Sequence, residues 1–414
     1  MIYYPRTLES KIKEKLHSPE AIFILGARQV GKTTLMKHLM NELPENQYIY
    51  LDLENPTFLS ILNKGVNEFL VYLKYQGLSQ KSRNFIFIDE IQYAPDFSSI
   101  IKYMVDHYSE NYKLILSGSS SLQIRKQFKD SLVGRKIIFE LYPLSFEEYC
   151  CFKEENKISE LLQKINPFEL KEDPLRFEKE KVHYLLREYL IYGGFPKVTL
   201  QENKKDKIQI LQDIVLSYVL KDIRSIFRLE KIAQFNHLVK LLAAIMGKEL
   251  NISQLATETR LNKQTLENYL NVLEAGYIIK LIYPFHKNLS SELRKTPKCY
   301  FLDTGLRNFL ISDFNEPEFR SDRGELLENF IFTQLIKKSN TMTKINYWRT
   351  KSRQEIDFIL QKESKLYAIE VKWSKVTTYS LRRFKKIYPD SEIFTISMLQ
   401  DFSREERILP AYLV

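Results

Sequence analysis

Residues 26–34 read Gly-Ala-Arg-Gln-Val-Gly-Lys-Thr-Thr, which fits the pattern G-x-x-x-x-G-K-[ST] at every fixed position. The short apolar run at 21–25 predicts a buried strand before this stretch, and residues 34–40 predict a helix after it. Gly26 and Gly31 let the backbone turn, so that successive N–H groups converge on a phosphate at a helix N-terminus. The stretch therefore predicts a phosphate-binding loop between a strand and a helix.

The side chains of this loop predict its cofactors, ATP and Mg²⁺. Lys32 is expected to reach the β- and γ-phosphates, and the Thr33 hydroxyl is expected to bind Mg²⁺. The predicted nucleotide-binding residues are Gly26, Ala27, Arg28, Gln29, Val30, Gly31, Lys32, Thr33 and Thr34.

A second acidic stretch completes the predicted site. Residues 84–90 read Asn-Phe-Ile-Phe-Ile-Asp-Glu, a strand that is apolar on both faces and ends in two carboxylates. Such a strand suits the centre of a parallel sheet. Asp89 is predicted to bind Mg²⁺ directly or through water, and Glu90 is predicted to act as general base toward the γ-phosphate.

Composition limits the class of protein. The 414 residues carry 62 Lys and Arg against 52 Asp and Glu, a net charge of +10. This excess favours an anionic partner such as nucleic acid, although a solvated lysine-rich surface explains it equally well. Three cysteines are too few for a disulfide framework, and we expect neither a signal peptide nor a membrane-spanning run. We therefore expect a cytoplasmic protein of two or three domains without a membrane partner.

The order of patterns predicts four segments. Strands at 48–52, 113–117 and 136–141 alternate with helices at 99–108 and 122–132, which indicates a parallel sheet covered on both faces. This core is assigned to residues 1–143. A helical lid at 144–230, a winged helix-turn-helix module at 231–289 and a C-terminal α/β domain at 290–414 follow.

The winged-helix assignment rests on two short helices, at 250–256 and 262–270, and a strand at 277–283. The second helix carries Lys263 but also Glu267, and Glu274 follows it. Carboxylates oppose entry into a DNA groove. A DNA-reading module and a structural or docking module both stay open.

Several of these stretches resemble a prokaryotic AAA-type ATPase family that usually carries a fused C-terminal domain of unknown function. They are residues 26–34, 89–90, 116–120, 134–135 and 143–146, with later landmarks at 193–196, 300–306 and 355–372. The resemblance implies an AAA-like P-loop ATPase in which hydrolysis drives a conformational change. A slow nucleotide switch that recruits proteins is one alternative.

The same resemblance suggests two further catalytic roles. Ser117 or Ser119 would be the polar sensor that positions the attacking water, although asparagine is common there in the wider class. Arg135 would be a finger that reaches a neighbouring subunit's nucleotide in a homo-oligomer, because arginine meets γ-phosphate charge bidentately. An arginine that caps a helix or pairs with a carboxylate is the alternative.

The tail resembles the PD-(D/E)xK nuclease-like fold, also called restriction-endonuclease-like. Asp357 lies on one predicted strand, and Glu370 and Lys372 face the same side of the next. With Glu328 or Glu325 as a third carboxylate, they would form a second metal site. An ATP-regulated nuclease acting on DNA or RNA is therefore a further alternative. A salt-bridged strand pair and a nuclease fold retained for binding also remain open.

Overall fold

The computed structural model describes residues 3–78, 82–94, 97–119, 132–222, 230–285, 296–340, 342–350, 352, 354–374 and 377–414. The chain divides into two compact units. The first comprises Met1–Tyr142 with Ala275–Tyr277, and the second comprises Pro143–Glu274 with Ile278–Val414. The first unit therefore holds the whole predicted phosphate-binding stretch.

A five-stranded parallel sheet forms the centre of the first unit, with strand order β2-β3-β4-β1-β5. The strands are β1 Ala21–Leu25, β2 Tyr48–Asp52, β3 Asn84–Asp89, β4 Tyr112–Gly118 and β5 Lys136–Glu140. Because the strands are parallel, the residues that follow β1, β3 and β4 meet at one edge of the sheet. The predicted parallel α/β sheet is confirmed.

The central strands β3, β4 and β1 are buried along their whole length, as expected for strands covered on both faces. The helices of this unit are α1 Thr7–Lys13, α2 Lys32–Asn41, α3 Pro56–Asn63, α4 Val66–Tyr75 and α5 Phe97–Tyr108. The helix predicted at 122–132 lies outside the described residues, apart from Leu132.

The second unit begins with a mostly helical region. Its first helix is capped by Ser145, whose Oγ accepts a hydrogen bond from the Glu148 N–H at 3.3 Å, while the Glu148 carboxylate accepts from the Ser145 N–H at 3.0 Å. The helices are α6 Phe146–Phe152, α7 Asn156–Lys164, α8 Lys179–Tyr192, α9 Pro196–Thr199 and α10 Lys204–Ile214, and a π-helix at Val215–Asp222 follows.

In the described residues 230–285 and 296–301, three helices and a two-stranded antiparallel sheet come next. They are α11 Ile232–Ala244, α12 Ile252–Thr259, α13 Lys263–Ala275, β6 Ile279–Ile282 and β7 Lys298–Phe301. The two short helices and the strand predicted between 250 and 283 are thus present, with somewhat different bounds.

The C-terminal part contains a second five-stranded sheet, of order β12-β11-β10-β9-β8. β8, β9 and β10 pair antiparallel, whereas β10, β11 and β12 pair parallel. The elements are α14 Thr304–Ile311, α15 Arg323–Lys338, β8 Lys344–Arg349, β9 Glu355–Lys362, β10 Lys365–Lys372, α16 Tyr379–Ile387, β11 Glu392–Ser397 and β12 Ile408–Pro410. In the described part of the chain, no helix is both long and apolar enough to cross a membrane.

Candidate nucleotide-binding site

The predicted phosphate-binding loop runs from the end of β1 to the start of α2. Gly31 precedes α2 with φ of +97°, and Gln29 also has a positive φ, of +62°. At Gly26 an added Cβ would lie 2.1 Å from the Leu141 carbonyl oxygen. Glycine at position 26 is therefore required by close backbone packing, and glycine at position 31 by its left-handed conformation.

Lys32 is buried inside this loop. Its Nζ donates hydrogen bonds to the carbonyl oxygens of Gly26 at 3.0 Å and Ala27 at 2.8 Å. Burial lowers the pKa of the Lys32 ammonium, and the nearby Glu90 and Asp89 carboxylates oppose the shift. The ammonium therefore lies at the loop, within electrostatic range of both predicted acidic residues.

Arg6, which sequence reasoning missed, holds the same loop from outside. Its guanidinium is buried and donates to the carbonyl oxygens of Val30 at 2.7 Å and Tyr142 at 2.8 Å. No local pattern around Arg6 indicates this contact, because its acceptors are backbone atoms distant in sequence. Arg6 thus links the segment before α1 to the phosphate-binding loop.

Asp89 is the centre of a hydrogen-bond network at the carboxyl edge of the sheet. Its Oδ2 accepts from the Thr33 hydroxyl at 2.6 Å and the Tyr50 hydroxyl at 2.7 Å. Its Oδ1 accepts from the Ser117 hydroxyl and from the Glu90 N–H at 3.1 Å. Burial and the bond to Asp89 raise the pKa of Tyr50, a contact that the sequence did not reveal.

The Thr33 and Asp89 pair fits a magnesium ion chemically. A hydroxyl and a carboxylate are hard oxygen donors, which Mg²⁺ prefers, and the two groups already touch. If Mg²⁺ binds, Thr33 and Asp89 would hold it.

Glu90 begins a short turn after β3, with φ of +54° and ψ of +48°. Its carboxylate accepts a hydrogen bond from the Gln92 side chain, and that side chain also contacts Ser119. The two predicted sensor candidates therefore differ in their partners: Ser117 binds Asp89, and Ser119 binds Gln92.

Arg28, the third residue of the loop stretch, contacts side chains from neighbouring turns. Its Nη2 donates to the Tyr93 hydroxyl at 3.2 Å and lies 3.8 Å from Glu54 Oε1. Exposed pairs of this kind contribute little stability. The Arg28 guanidinium can therefore leave these contacts at little cost in free energy.

Arg135 lies at the other end of the sheet from the loop. It immediately precedes β5, whose first residue Lys136 is paired with Ala21 at the start of β1. Its guanidinium forms an ion pair with Asp106 of α5. Within one copy of the chain, Arg135 is therefore not a neighbour of Lys32, Asp89 or Glu90.

The four residues of the predicted second metal site each have protein partners in the second unit. Asp357 accepts from the Val371 N–H at 2.7 Å, and Glu370 pairs with Lys372 at 2.9 Å. Glu328 accepts from the Tyr300 hydroxyl. Burial raises the pKa of both Asp357 and Glu370.

Lys298, not predicted from sequence, is the main cation among these carboxylates. Its Nζ lies 3.3 Å from Glu328 Oε1 and 2.5 Å from Glu355 Oε1. Burial acts to lower the pKa of Lys298, but the surrounding carboxylates, first of all Glu328, raise it. Burial also raises the pKa of Glu328 to about 7.

In the described residues, the C-terminal cluster does not bring three metal-ligand atoms within 4.8 Å of one another, so the second metal site stays a prediction. Within the described residues, only Glu9, His38 and Glu42 bring three metal-ligand atoms within 4.8 Å of one another. Those two carboxylates also pair with Lys13, at 2.7 and 2.6 Å. At the C-terminal cluster, the ammonium groups of Lys298 and Lys372 lie beside the carboxylates.

The first unit defines a class of protein. A parallel sheet that carries this loop after one strand and an acidic pair after another is typical of P-loop ATPases. Residues 18–150 match the family model described as an AAA domain. These residues are therefore similar to AAA domains, in agreement with the P-loop arrangement of the first unit.

Two further family models match later parts of the chain. Residues 183–317 match a domain of unknown function (DUF8612), and residues 323–412 match another domain of unknown function (DUF4143).

Individual proteins are similar over most of the chain. The uncharacterized protein MJ1544 of Methanocaldococcus jannaschii is 25% identical over 365 residues, 87% of this chain and 76% of its own. The uncharacterized protein Rv2008c of Mycobacterium tuberculosis is 22% identical over 410 residues, 96% of this chain and 82% of its own. The Walker-type ATPase PABY2304 of Pyrococcus abyssi gives a TM-score of 0.49 at 15% identity, covering 75% of this chain and 96% of that chain.

Proposed function

We propose that the chain binds ATP with Mg²⁺ at the loop of residues 26–34 and hydrolyses it to drive a conformational change. One observation carries this proposal. The Thr33 hydroxyl touches the Asp89 carboxylate at 2.6 Å, so the loop and the acidic end of β3 form a single site.

Each residue of the site has a defined part in the reaction. Water attacks the γ-phosphorus, the bond from that phosphorus to the β–γ bridging oxygen breaks, and ADP and phosphate leave. Glu90 accepts the proton of the attacking water, and Lys32 balances charge on the β- and γ-phosphates. Bound Mg²⁺ would neutralise phosphate charge, held by Thr33 and Asp89.

Two substitutions test binding and chemistry separately. Lys32→Ala should abolish ATP binding in calorimetry, because the buried ammonium supplies the charge at the loop. Glu90→Gln should bind ATP normally and lose about 10²- to 10⁴-fold in kcat, because only the proton acceptor is removed. Lys74→Ala, an exposed lysine on α4, is the control and should change neither quantity.

Unchanged ATP affinity in Lys32→Ala would refute the nucleotide site. Tight ATP binding with turnover near zero in the wild-type protein would instead favour the slow nucleotide switch. Measuring the ATPase rate with and without DNA, RNA or protein partners would identify what triggers turnover.

We also propose a structural role for each of the remaining segments. Residues 144–230 serve as a helical lid, residues 231–289 as a winged-helix module, and residues 290–414 as a PD-(D/E)xK nuclease-like domain. We further propose a cytoplasmic homo-oligomer that contacts nucleic acid through its excess of 62 basic over 52 acidic residues.

A nuclease activity is the second candidate function. It is supported by Asp357 of β9, which accepts from the Val371 N–H at 2.7 Å, and by Glu370 and Lys372 of the paired strand β10, which lie 2.9 Å apart. Purified protein should be incubated with plasmid or RNA in Mg²⁺ or Mn²⁺, with Asp357→Ala as control. Cleavage lost in Asp357→Ala while ATP turnover persists would support the nuclease. No cleavage and no binding at low salt would make this domain a protein-docking platform.

A further inference from the structure

Gln92 lies two residues after Glu90, in the 3-10 turn Ile91–Tyr93 that follows β3. Both ends of its side-chain amide are used. Nε2 donates to Glu90 Oε2 and to the Ser119 hydroxyl at 3.0 Å, and Oε1 accepts from the Ser119 N–H at 3.3 Å. Ser119 is itself buried, immediately after β4. The amide therefore joins the predicted base to the end of the neighbouring strand.

The backbone of Glu90 is fixed as well. A left-handed conformation is uncommon for a residue other than glycine and persists only when its surroundings hold it. Here the Glu90 N–H donates to Asp89 Oδ1 at 3.1 Å and to Ser117 Oγ at 3.3 Å. The backbone and one carboxylate oxygen are thus both restrained, and among the described residues no hydrogen bond is made to the other oxygen, Oε1.

We propose that Gln92 is a positioning residue for the general base, and that Ser119 acts on hydrolysis through Gln92 rather than by touching the nucleotide. This inference rests on the proposed ATPase function. When Gln92 holds Oε2 of the Glu90 carboxylate, the carboxylate has one orientation, and its Oε1 accepts the proton from water. Because a misplacement of about 1 Å can cost about 10²-fold in rate, such anchoring is a kinetic requirement and not a binding contact.

The first test separates positioning from binding. Gln92→Ala should lower kcat for ATP hydrolysis about 10- to 100-fold and leave ATP affinity unchanged in calorimetry. Gln92→Glu keeps the size of the side chain but replaces the donor with a carboxylate facing Glu90, so it should lower kcat at least as much. Wild-type kcat in a folded Gln92→Glu variant would overturn the proposal, because the amide donor would then be dispensable.

Double variants test whether the effect passes through Glu90. In a Glu90→Gln background, Gln92→Ala should cause no further loss, because the group that it positions is already gone. Ser119→Ala should lower kcat, Ser119→Thr should retain it, and Ser119→Ala combined with Gln92→Ala should be no worse than Gln92→Ala alone. Additive losses in either pair would overturn the proposal, as would reduced ATP affinity in Gln92→Ala.

The outcomes also separate this inference from the function on which it rests. Wild-type protein that neither binds nor hydrolyses ATP overturns both. Wild-type protein that hydrolyses ATP at a rate insensitive to Gln92→Ala and Gln92→Glu overturns only the positioning role. Melting temperatures of all variants, compared with wild type, identify any loss that arises from unfolding.

Discussion

Single residues decide where backbones can approach one another in this chain. At Gly305 in α14, an added Cβ would lie 2.0 Å from the Tyr192 carbonyl oxygen and 2.4 Å from its carbon. Both are backbone atoms, so no rotation of a side chain relieves the clash. At Gly324 in α15, nothing lies within 4 Å of the same added atom. The two glycines therefore face opposite steric situations in helices of one unit.

This contrast gives a stability prediction. Gly305→Ala should lower the free energy of unfolding by about 1–3 kcal/mol, because the backbone must shift to admit the methyl group. Gly324→Ala, the matched control, should leave it unchanged or raise it by about 0.5–1 kcal/mol through reduced chain entropy. Urea denaturation measures both, and equal effects of the two substitutions would refute the steric account.

The tight approach at Gly305 also explains two sequence landmarks. Asp303 accepts from the Gly194 N–H at 2.7 Å and from the Leu306 N–H at 2.9 Å. Asn308 donates to the carbonyl oxygens of Leu190 and Ile191, each at 2.9 Å. The stretches at 193–196 and 300–306 thus pack against each other, and their role is structural rather than chemical.

At the scale of elements, one partly buried charge cluster joins β7, β9 and α15. Lys298 comes from β7, Glu355 and Asp357 from β9, and Glu328 from α15. Tyr300 of β7 donates to Glu328. Burial raises the pKa of Glu328 from its ordinary 4.5 to about 7, although Lys298 opposes the shift. The folded protein therefore binds a proton at Glu328 that the unfolded chain releases between these two values.

Protonation of Glu328 makes the stability of the folded protein depend on pH. Because Glu328 keeps its proton to higher pH in the native state than in the unfolded state, its contribution to stability should fall as pH rises from 4.5 to about 7. Relative to Glu328→Gln, the wild-type protein should lose on the order of 2–3 kcal/mol between about pH 5 and pH 8. Tyr300→Phe keeps the carboxylate and should retain the dependence. Parallel unfolding curves for wild type and Glu328→Gln would contradict the prediction.

The sequence predicts those features of the fold and the site that leave a local pattern, and it does not predict those that depend on contacts between distant residues. β1, β3 and the loop at 26–34 were predicted because burial on both faces and a fixed glycine spacing leave local patterns. Gln92 and Lys298 were not, because their roles depend on partners that only the folded chain brings together. Gln92 needs Ser119 from the next strand, and Lys298 needs Glu328 from a helix about 30 residues away.

At the scale of the whole molecule, Arg135 raises the question of assembly. β1 and β5 pair in parallel from Ala21 with Lys136 to Leu25 with Glu140, so Arg135 and the loop lie at opposite ends of the pair. Five residues of strand separate them by about 17 Å, which exceeds the reach of an arginine side chain. If Arg135 contacts a nucleotide, that nucleotide is bound to another copy of the chain.

A mixing experiment tests this role. Arg135→Ala and Glu90→Gln should each hydrolyse ATP poorly, because one lacks the finger and the other lacks the base. In an equal mixture, about one quarter of head-to-tail interfaces pair an intact Glu90 with an intact Arg135, so activity should recover toward that fraction of wild type. Asp106→Ala is the matched control: it breaks the ion pair but retains the finger, and should keep its turnover. If activity does not recover and the protein is a monomer in the presence of ATP, Arg135 has a structural role in the ion pair with Asp106. Arg135→Ala and Asp106→Ala should then lower the melting temperature by equal amounts.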